Sequence, residues 1–166
     1  MRNIEPILND LQSEMRVEYS VEGNMNCLKV SRDDYIAVAR YLRKRGFRRL
    51  LTVSAVDWIE RGTLEAYFLV HKIDGNVYVK VAAEMRRENP LVPSLSELWP
   101  NAAMHERETW ELFGVFFEGN RSLKPLFLED WDEIPPFRKD FDWREYVKEN
   151  NYLFKLRRSD DVRLKE

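Results

Sequence analysis

Cysteine and histidine, which hold most protein metals and all disulfides, are nearly absent from this chain. Its 166 residues include one cysteine, Cys27, and two histidines, His71 and His105. A single thiol excludes an internal disulfide and an iron–sulfur cluster held by the thiolates of one chain. Thr109 stands where a zinc-protease helix beginning at His105 needs its second histidine. We therefore expect no cofactor and no metal in this chain, and we expect Cys27 to be a small buried hydrophobe in a strand.

Glycine-rich loops and long apolar runs are also lacking. The six glycines follow neither the dinucleotide-binding spacing nor the Walker spacing, so the usual phosphate-binding loops are not predicted. Apolar stretches such as residues 50–58 fall well short of the ~20 residues that a membrane-spanning helix needs. Residues 1–10 carry charges and Pro6 in place of the apolar region of a signal peptide. A role at a membrane would therefore require another protein to hold the chain there.

Neither sign of charge is in large excess. The chain has 27 basic and 29 acidic residues and a formal net charge of -2, so no global field attracts nucleic acid or anionic lipid. Six cations cluster within residues 40–49. Cations are favoured at a helix C-terminus, and a charged run there is usually a solvated face. We therefore favour a solvated helix end over a nucleic-acid site.

Charged residues make up 34% of the chain, which is typical of thermophile proteins with ion-paired surfaces.

The order of helical and strand-like patterns predicts an α+β fold. Predicted strands cover residues 17–21, 26–30, 47–58, 64–73 and 77–83, and predicted helices cover residues 4–15, the stretch between a Ser31 cap and Gly46, and residues 102–113. Asp34 stands where its carboxylate can reach back to the Ser31 cap. Residues 85–93 are predicted to be a polar loop. We expect a mixed, largely antiparallel sheet covered by helices on one face.

The character of the sequence changes after Gly119. Residues 120–166 contain three prolines, many aromatic and aliphatic residues and little sustained periodicity, so they cannot build a core of their own. A disordered linker would be poor in such side chains. We therefore predict an α+β domain over residues 1–118 and an extended C-terminal docking tail over residues 119–166. The tail's apolar side chains should be buried against this domain or against a partner.

The third predicted helix places a carboxylate on its apolar side. At roughly 100° per residue, Glu106 shares that side with Thr109 and Phe113. An unpaired carboxylate there would be expensive, so we expect Glu106 to have a buried partner, either an arginine or backbone amides. Arg107 and Glu111 fall on the opposite side, four residues apart, where they can form an ion pair on the outer face. A shift of one position in the helix phase would instead leave Glu106 exposed.

Residues 106–115, ERETWELFGV, resemble the signature of the thirty-kilodalton subunit family of respiratory complex I, which is the C-type subunit of NADH–quinone oxidoreductase. The equivalent subunits of membrane-bound nickel–iron hydrogenases and related ferredoxin-linked complexes share this signature. The resemblance extends to residues 98–102, 124–126, 129–131 and 136–141. It assigns the following family-motif and interface residues: Glu106, Arg107, Glu108, Glu111, Phe113, Gly114, Lys124, Trp131, Arg138, Lys139, Asp140 and Phe141.

The chain departs from the family pattern at three places. Asn120 and Arg121 stand where a histidine and a proline usually follow the third helix. Glu111 replaces a common aspartate, and residues 136–137 begin the arginine–lysine motif with proline and phenylalanine in place of a leucine. These departures favour a hydrogenase-like or ferredoxin-linked relative over the standard NADH–quinone branch.

The resemblance implies a non-catalytic, peripheral-arm subunit of a membrane-bound, ion-translocating electron-transfer complex. Its implied partners are a large redox subunit, similar to that of nickel–iron hydrogenases, and a neighbouring iron–sulfur subunit. The nickel–iron or quinone site and the iron–sulfur clusters are expected in those partners, at the cytoplasmic face of the cell membrane. One alternative is a subunit of a standard NADH–quinone oxidoreductase. Another is a free-standing acid/base enzyme using Glu106, Glu108 or Glu111, although nothing in the sequence places a nucleophile or metal near them.

Overall fold

The computed structural model describes residues 4–128 and 130–149. Its helices are α1 (Glu5–Glu14), α2 (Tyr35–Lys44), α3 (Ala102–Phe113) and α4 (Trp143–Glu149). Its strands are β1 (Val17–Glu22), β2 (Met25–Val30), β3 (Arg49–Trp58), β4 (Thr63–Lys72), β5 (Val77–Arg86), β6 (Leu91–Pro93) and β7 (Phe116–Glu118). A short 3₁₀ turn, Ile59–Arg61, joins β3 to β4.

Five strands form the main sheet in the order β1-β2-β5-β4-β3. The pairs β1–β2, β5–β4 and β4–β3 are antiparallel, and the pair β2–β5 is parallel. Strands β6 and β7 pair in parallel as a separate two-stranded sheet. The prediction of an α+β fold with a mixed, largely antiparallel sheet is therefore confirmed.

The two faces of the main sheet differ in chemistry. Alternate residues of β4 are buried, as expected for a strand with one face on the core. In that core the rings of Tyr35 from α2 and Phe68 from β4 meet edge to face, with centroids 5.1 Å apart. The opposite face carries polar contacts such as the Lys29–Glu84 ion pair. Cys27 faces this second side with Lys29 and is only half-buried, so the prediction of a buried thiol is wrong.

The hydrogen bonds predicted between Ser31 and Asp34 are present, but α2 itself begins at Tyr35, with Asp34 and not Ser31 as its N-cap. The amide of Asp34 donates a hydrogen bond to the hydroxyl oxygen of Ser31 at 3.1 Å, and that hydroxyl donates to the Asp34 carboxylate at 2.7 Å. The apolar stripe of α2 lies on the sheet, with Val38 and Leu42 fully buried. Local capping and periodicity were sufficient to predict this helix.

Two elements differ from the sequence-based prediction. The predicted polar loop over residues 85–93 instead contains the end of β5 and all of β6. The stretch after Gly119, expected to be extended, contains α4, where Asp142 Oδ1 accepts hydrogen bonds from the amides of Arg144 and Glu145. β6 depends on pairing with β7, a partner distant in sequence, and α4 is too short for a clear periodicity. The part of the predicted tail over residues 150–166 lies outside the described residues.

Candidate docking surface

Glu106 is a fully buried carboxylate at the centre of α3. It accepts hydrogen bonds from the Ser94 hydroxyl at 2.7 Å, the Leu95 backbone amide at 2.6 Å and the Asn120 side-chain amide at 2.8 Å. Burial raises the pKa of Glu106, although these three donors oppose the shift. The expectation of a buried Glu106 with backbone-amide partners is confirmed. This carboxylate ties α3 to the loop before it and to the turn after β7.

Glu111 fastens the chain after residue 123 to the side of α3. Its carboxylate accepts hydrogen bonds from the successive amides of Leu126, Phe127 and Leu128 at 2.8–3.1 Å. Arg107, one turn earlier, donates to the carbonyl oxygens of residues 124 and 125 at 3.2 and 2.8 Å. The predicted Arg107–Glu111 ion pair is therefore wrong, because Glu111 is buried and each side chain binds the backbone of residues 124–128 instead.

The C-terminal end of α3 receives a second contact from the same chain segment. The Arg138 guanidinium donates to the carbonyl oxygen of Phe113 at 2.8 Å, one of the helix-end carbonyls that has no partner within the helix. Gly114, with φ of 75°, makes room for this contact. A Cβ atom at Gly114 would lie 3.0 Å from both Arg138 Nη2 and Pro135 Cγ. The family-motif residues Phe113, Gly114 and Arg138 are thus brought together.

A third contact joins the segment to the end of the main sheet. Arg87, after β5, donates to both carboxylate oxygens of the buried Asp57 at 2.8 and 3.0 Å, and it also pairs with Asp140. The backbone amide of Lys139 donates to Asp57 at 2.8 Å. Burial alone would raise the pKa of Asp57, but the Arg87 and Lys139 hydrogen bonds outweigh it and lower the pKa. Hydrogen bonding to Arg87 also lowers the pKa of Asp140.

Sequence reasoning missed Asp57 and Arg87. The one signal was a carboxylate at the end of an apolar strand pattern, where an unpaired charge is costly. No local spacing identifies Arg87 as its partner, because the two residues are joined only through the pairing of β3, β4 and β5.

Four aromatic side chains gather beyond this contact, and we call them the aromatic cluster: Trp131, Phe141, Trp143 and Tyr146. Their ring centroids lie 5.0–6.1 Å apart. The indole N–H of Trp131 donates to the carbonyl oxygen of residue 134 at 3.2 Å. None of the residues of α4 is buried, so the cluster lies at the surface of the described part of the chain.

Several large apolar side chains on this segment are exposed, although the Phe137 ring also contacts that of Phe113, with centroids 5.5 Å apart. Phe127 is 62% exposed, Phe137 is 51% exposed and Trp143 is 46% exposed. With Ile134 and Val147, which are also exposed, they form what we call the apolar surface of the C-terminal segment. Exposure of several large apolar side chains on one segment is typical of an interaction site.

The remaining predicted residues take less part in this arrangement. The side chains of Glu108 and Lys124 are exposed. In the basic run, Arg43 donates to the carbonyl oxygen of Leu98 and Arg45 pairs with Asp10, so part of the run makes internal contacts. Within residues 4–128 and 130–149, no group of three histidine, cysteine or acidic residues is arranged to hold a metal. Among the helices described, none is long and apolar enough to cross a membrane.

Residues 28–147 match the family model described as the respiratory-chain NADH dehydrogenase 30 Kd subunit. The chain belongs to this family. It is 34% identical to the C subunit of the NADH-quinone oxidoreductase of Moorella thermoacetica over 142 residues, covering 85% of this chain and 95% of that relative. It is 36% identical to the C subunit of the F(420)H(2) dehydrogenase of Methanosarcina mazei over 119 residues, covering 68% of this chain and 73% of that relative.

A solved structure shares the fold of this chain. It is a chain of the membrane-bound sulfane sulfur reductase, an archaeal respiratory membrane complex. The TM-score is 0.78 at 26% identity, over 88% of this chain and 89% of that one. The family resemblance seen in residues 106–115 is therefore confirmed, and it extends through most of the fold.

Proposed function

We propose that this chain is a non-catalytic subunit of a membrane-bound, ion-translocating electron-transfer complex, and that it docks onto and stabilises the large redox subunit. The docking element is the C-terminal segment from residue 119 onward. The α+β domain over residues 1–118 is the platform that carries it. The chain is held at the cytoplasmic face of the membrane by its partners.

The observation that carries this proposal is the orientation of the C-terminal segment. Its polar groups turn inward, where Glu111, Arg107 and Asp57 bind its backbone. Several of its large apolar side chains, such as Phe127 and Trp143, are exposed. Full burial of a side chain of this size at an interface contributes about 1.5–3 kcal/mol of favourable free energy. A subunit that offers this apolar surface gains free energy when a partner covers it.

The relatives support a redox complex as the setting. The similar proteins described above are subunits of an NADH-quinone oxidoreductase, an F(420)H(2) dehydrogenase and a membrane-bound sulfane sulfur reductase. We infer that the partners are a large redox subunit like that of nickel–iron hydrogenases and a neighbouring iron–sulfur subunit. The nickel–iron or quinone site and the iron–sulfur clusters belong to those subunits. We favour the hydrogenase-like branch because of the departures from the family motif at Glu111 and residues 120–121 and 136–137.

A standard NADH–quinone oxidoreductase is the second candidate. The relative from Moorella thermoacetica favours it, because the match spans 95% of that protein. An acid/base enzyme built on the α3 glutamates has no comparable support. Glu106 and Glu111 are both buried and accept several hydrogen bonds from within the chain, whereas Glu108 is exposed.

Co-purification of the tagged full chain from its native membranes tests the proposal. We expect a large redox subunit and an iron–sulfur subunit to be retained in equal amounts with the chain. Nickel in the purified complex would support the hydrogenase-like branch, and reduction of quinone by NADH without nickel would support the second candidate. Recovery of the chain alone from solubilised membranes would contradict the proposal.

A further inference from the structure

Arg87 is fixed in place from two sides. Its backbone amide donates to the carbonyl oxygen of Gly62 at 3.0 Å, and its guanidinium is held by both oxygens of the buried Asp57. The Arg87 side chain is only 16% exposed. A planar guanidinium held by a bidentate carboxylate has little freedom to reorient. Its remaining N–H groups therefore present a rigid site for one more carboxylate.

Asp140 of the C-terminal segment occupies that site. Its two carboxylate oxygens accept from Arg87 Nη1 and Nη2, and the neighbouring Lys139 amide binds Asp57 directly. Asp140 immediately precedes Phe141, which contacts Trp131, Trp143 and Tyr146 in the aromatic cluster. The ion pair between Asp140 and Arg87 therefore lies one residue from the aromatic cluster and fixes its position relative to the main sheet.

Burial of apolar side chains against the described part of the chain contributes little to holding the aromatic cluster in place. Helix α4 has seven residues and buries none of them. A helix this short is marginal in water without tertiary support. The ring contacts hold the cluster together, and the contact of Arg87 with Asp57 and Asp140 joins it to the main sheet.

We propose that Arg87 is a positioning residue, which holds the aromatic cluster in its docking arrangement before any partner binds. The inference rests on the proposed docking function and adds to it the statement that the surface is preformed. An unanchored tail would have to become ordered as it binds, which costs part of the interaction free energy. The clamp of Asp57, Arg87 and Asp140 removes this ordering step from docking.

Asp140→Ala is the informative variant, because it removes the contact between Arg87 and the segment while leaving Asp57 bound to Arg87 and to the Lys139 backbone amide. Asp132→Ala is its matched control, since Asp132 is an exposed acid of the same segment that forms no ion pair with a described residue. Arg87→Met is a poorer first choice, because it would leave the buried Asp57 unpaired and endanger the fold. It serves as a second variant if it folds.

Hydrogen–deuterium exchange of the free full chain tests the preformed state. We expect amides of residues 137–147 to be protected in the wild type and in Asp132→Ala. In Asp140→Ala their exchange should rise on the order of ten-fold, the effect of losing charge-assisted hydrogen bonds, while β3–β5 exchange is unchanged. Equal exchange in the two variants, or unprotected amides in the wild type, would overturn the inference.

Binding to the separately purified large subunit of the same complex gives the second readout. Asp140→Ala should bind on the order of ten-fold more weakly than Asp132→Ala, because its free segment must first be ordered. Wild-type binding with no difference between the variants would refute the role of Arg87 and leave docking intact. Absence of binding by the wild type would instead refute the proposed function.

Discussion

The Glu111 carboxylate holds the backbone amide of Phe127 with both of its oxygens, at 3.1 and 3.0 Å. The Phe127 side chain is 62% exposed. A buried acid of α3 thus fixes the position of an exposed aromatic side chain. This arrangement explains how a proline-containing segment without a core of its own can present anchors in a defined geometry.

Glu111→Gln should loosen residues 124–128. Glutamine keeps one acceptor oxygen in the position of Oε1, but it places an NH2 donor toward the Phe127 amide in the position of Oε2 and removes the charge that strengthens the remaining hydrogen bonds. We expect the free energy of unfolding to fall by about 1–3 kcal/mol, the usual range for hydrogen bonds to a charged group. Chemical denaturation measures this. Glu108→Gln on the exposed side of α3 is the control and should change stability by less than about 0.5 kcal/mol. Equal effects in the two variants would show that Glu111 does not fasten the segment.

Glu106 should make stability fall with rising pH. Because burial raises its pKa in the folded state, the folded chain binds this proton more tightly than the unfolded chain does. The stabilisation is fully present below the ordinary carboxyl pKa of 4.5 and is lost as the pH rises through the raised value. The difference in unfolding free energy between wild type and Glu106→Gln should therefore shrink as the pH increases from 4 toward neutrality.

Urea denaturation at several pH values measures this difference. The comparison with Glu106→Gln removes the opposite contributions of Asp57 and Asp140, whose pKa values are lowered and which both chains share. A pH-independent difference between the two chains would contradict the account of Glu106. A difference that grows with pH would mean that its pKa is lowered, as in an exposed ion pair.

Gly114→Ala should be more harmful than the same change at Gly62. Both glycines end helical turns with positive φ, 75° and 64°, so each alanine incurs about 1–2 kcal/mol of left-handed backbone strain. At Gly62 an added Cβ would meet nothing within 4 Å, whereas at Gly114 it would press on Pro135 and Arg138 at 3.0 Å. Crowding of this kind costs about 1–3 kcal/mol more. Thermal unfolding of the two variants measures the difference, and equal melting temperatures would show that the segment does not pack against Gly114.

The sequence was most informative where local rules decide the structure. The capping pair Ser31 and Asp34 and the apolar periodicity were enough to predict α2, and the helical phase was enough to place Glu106 inside. The same phase put Glu111 outside, and that was wrong. A helical wheel records only which side of a helix is apolar, and here the segment over residues 124–128 covers the polar side as well.

The site depended on contacts between distant parts of the chain. Asp57, Arg87 and Asp140 lie on three separate elements, and no spacing rule relates them. Family resemblance identified Arg138, Lys139 and Asp140, but it gave no reason to expect that they bind this domain. In the structure their polar groups reach Phe113, Asp57 and Arg87, and the adjoining apolar side chains face outward.

The affinity of Phe127→Ala for the large redox subunit tests the docking account most directly. Phe127 is 62% exposed, so its truncation should leave the stability of the free chain unchanged. Ile73 in the turn between β4 and β5 is 63% exposed and lies outside the C-terminal segment, so Ile73→Ala is the matched control. For an aromatic anchor at an interface we predict a loss of about 2 kcal/mol, roughly a thirty-fold weaker Kd, and no change for Ile73→Ala. Equal affinities of wild type, Phe127→Ala and Ile73→Ala would contradict the assignment of this surface to docking.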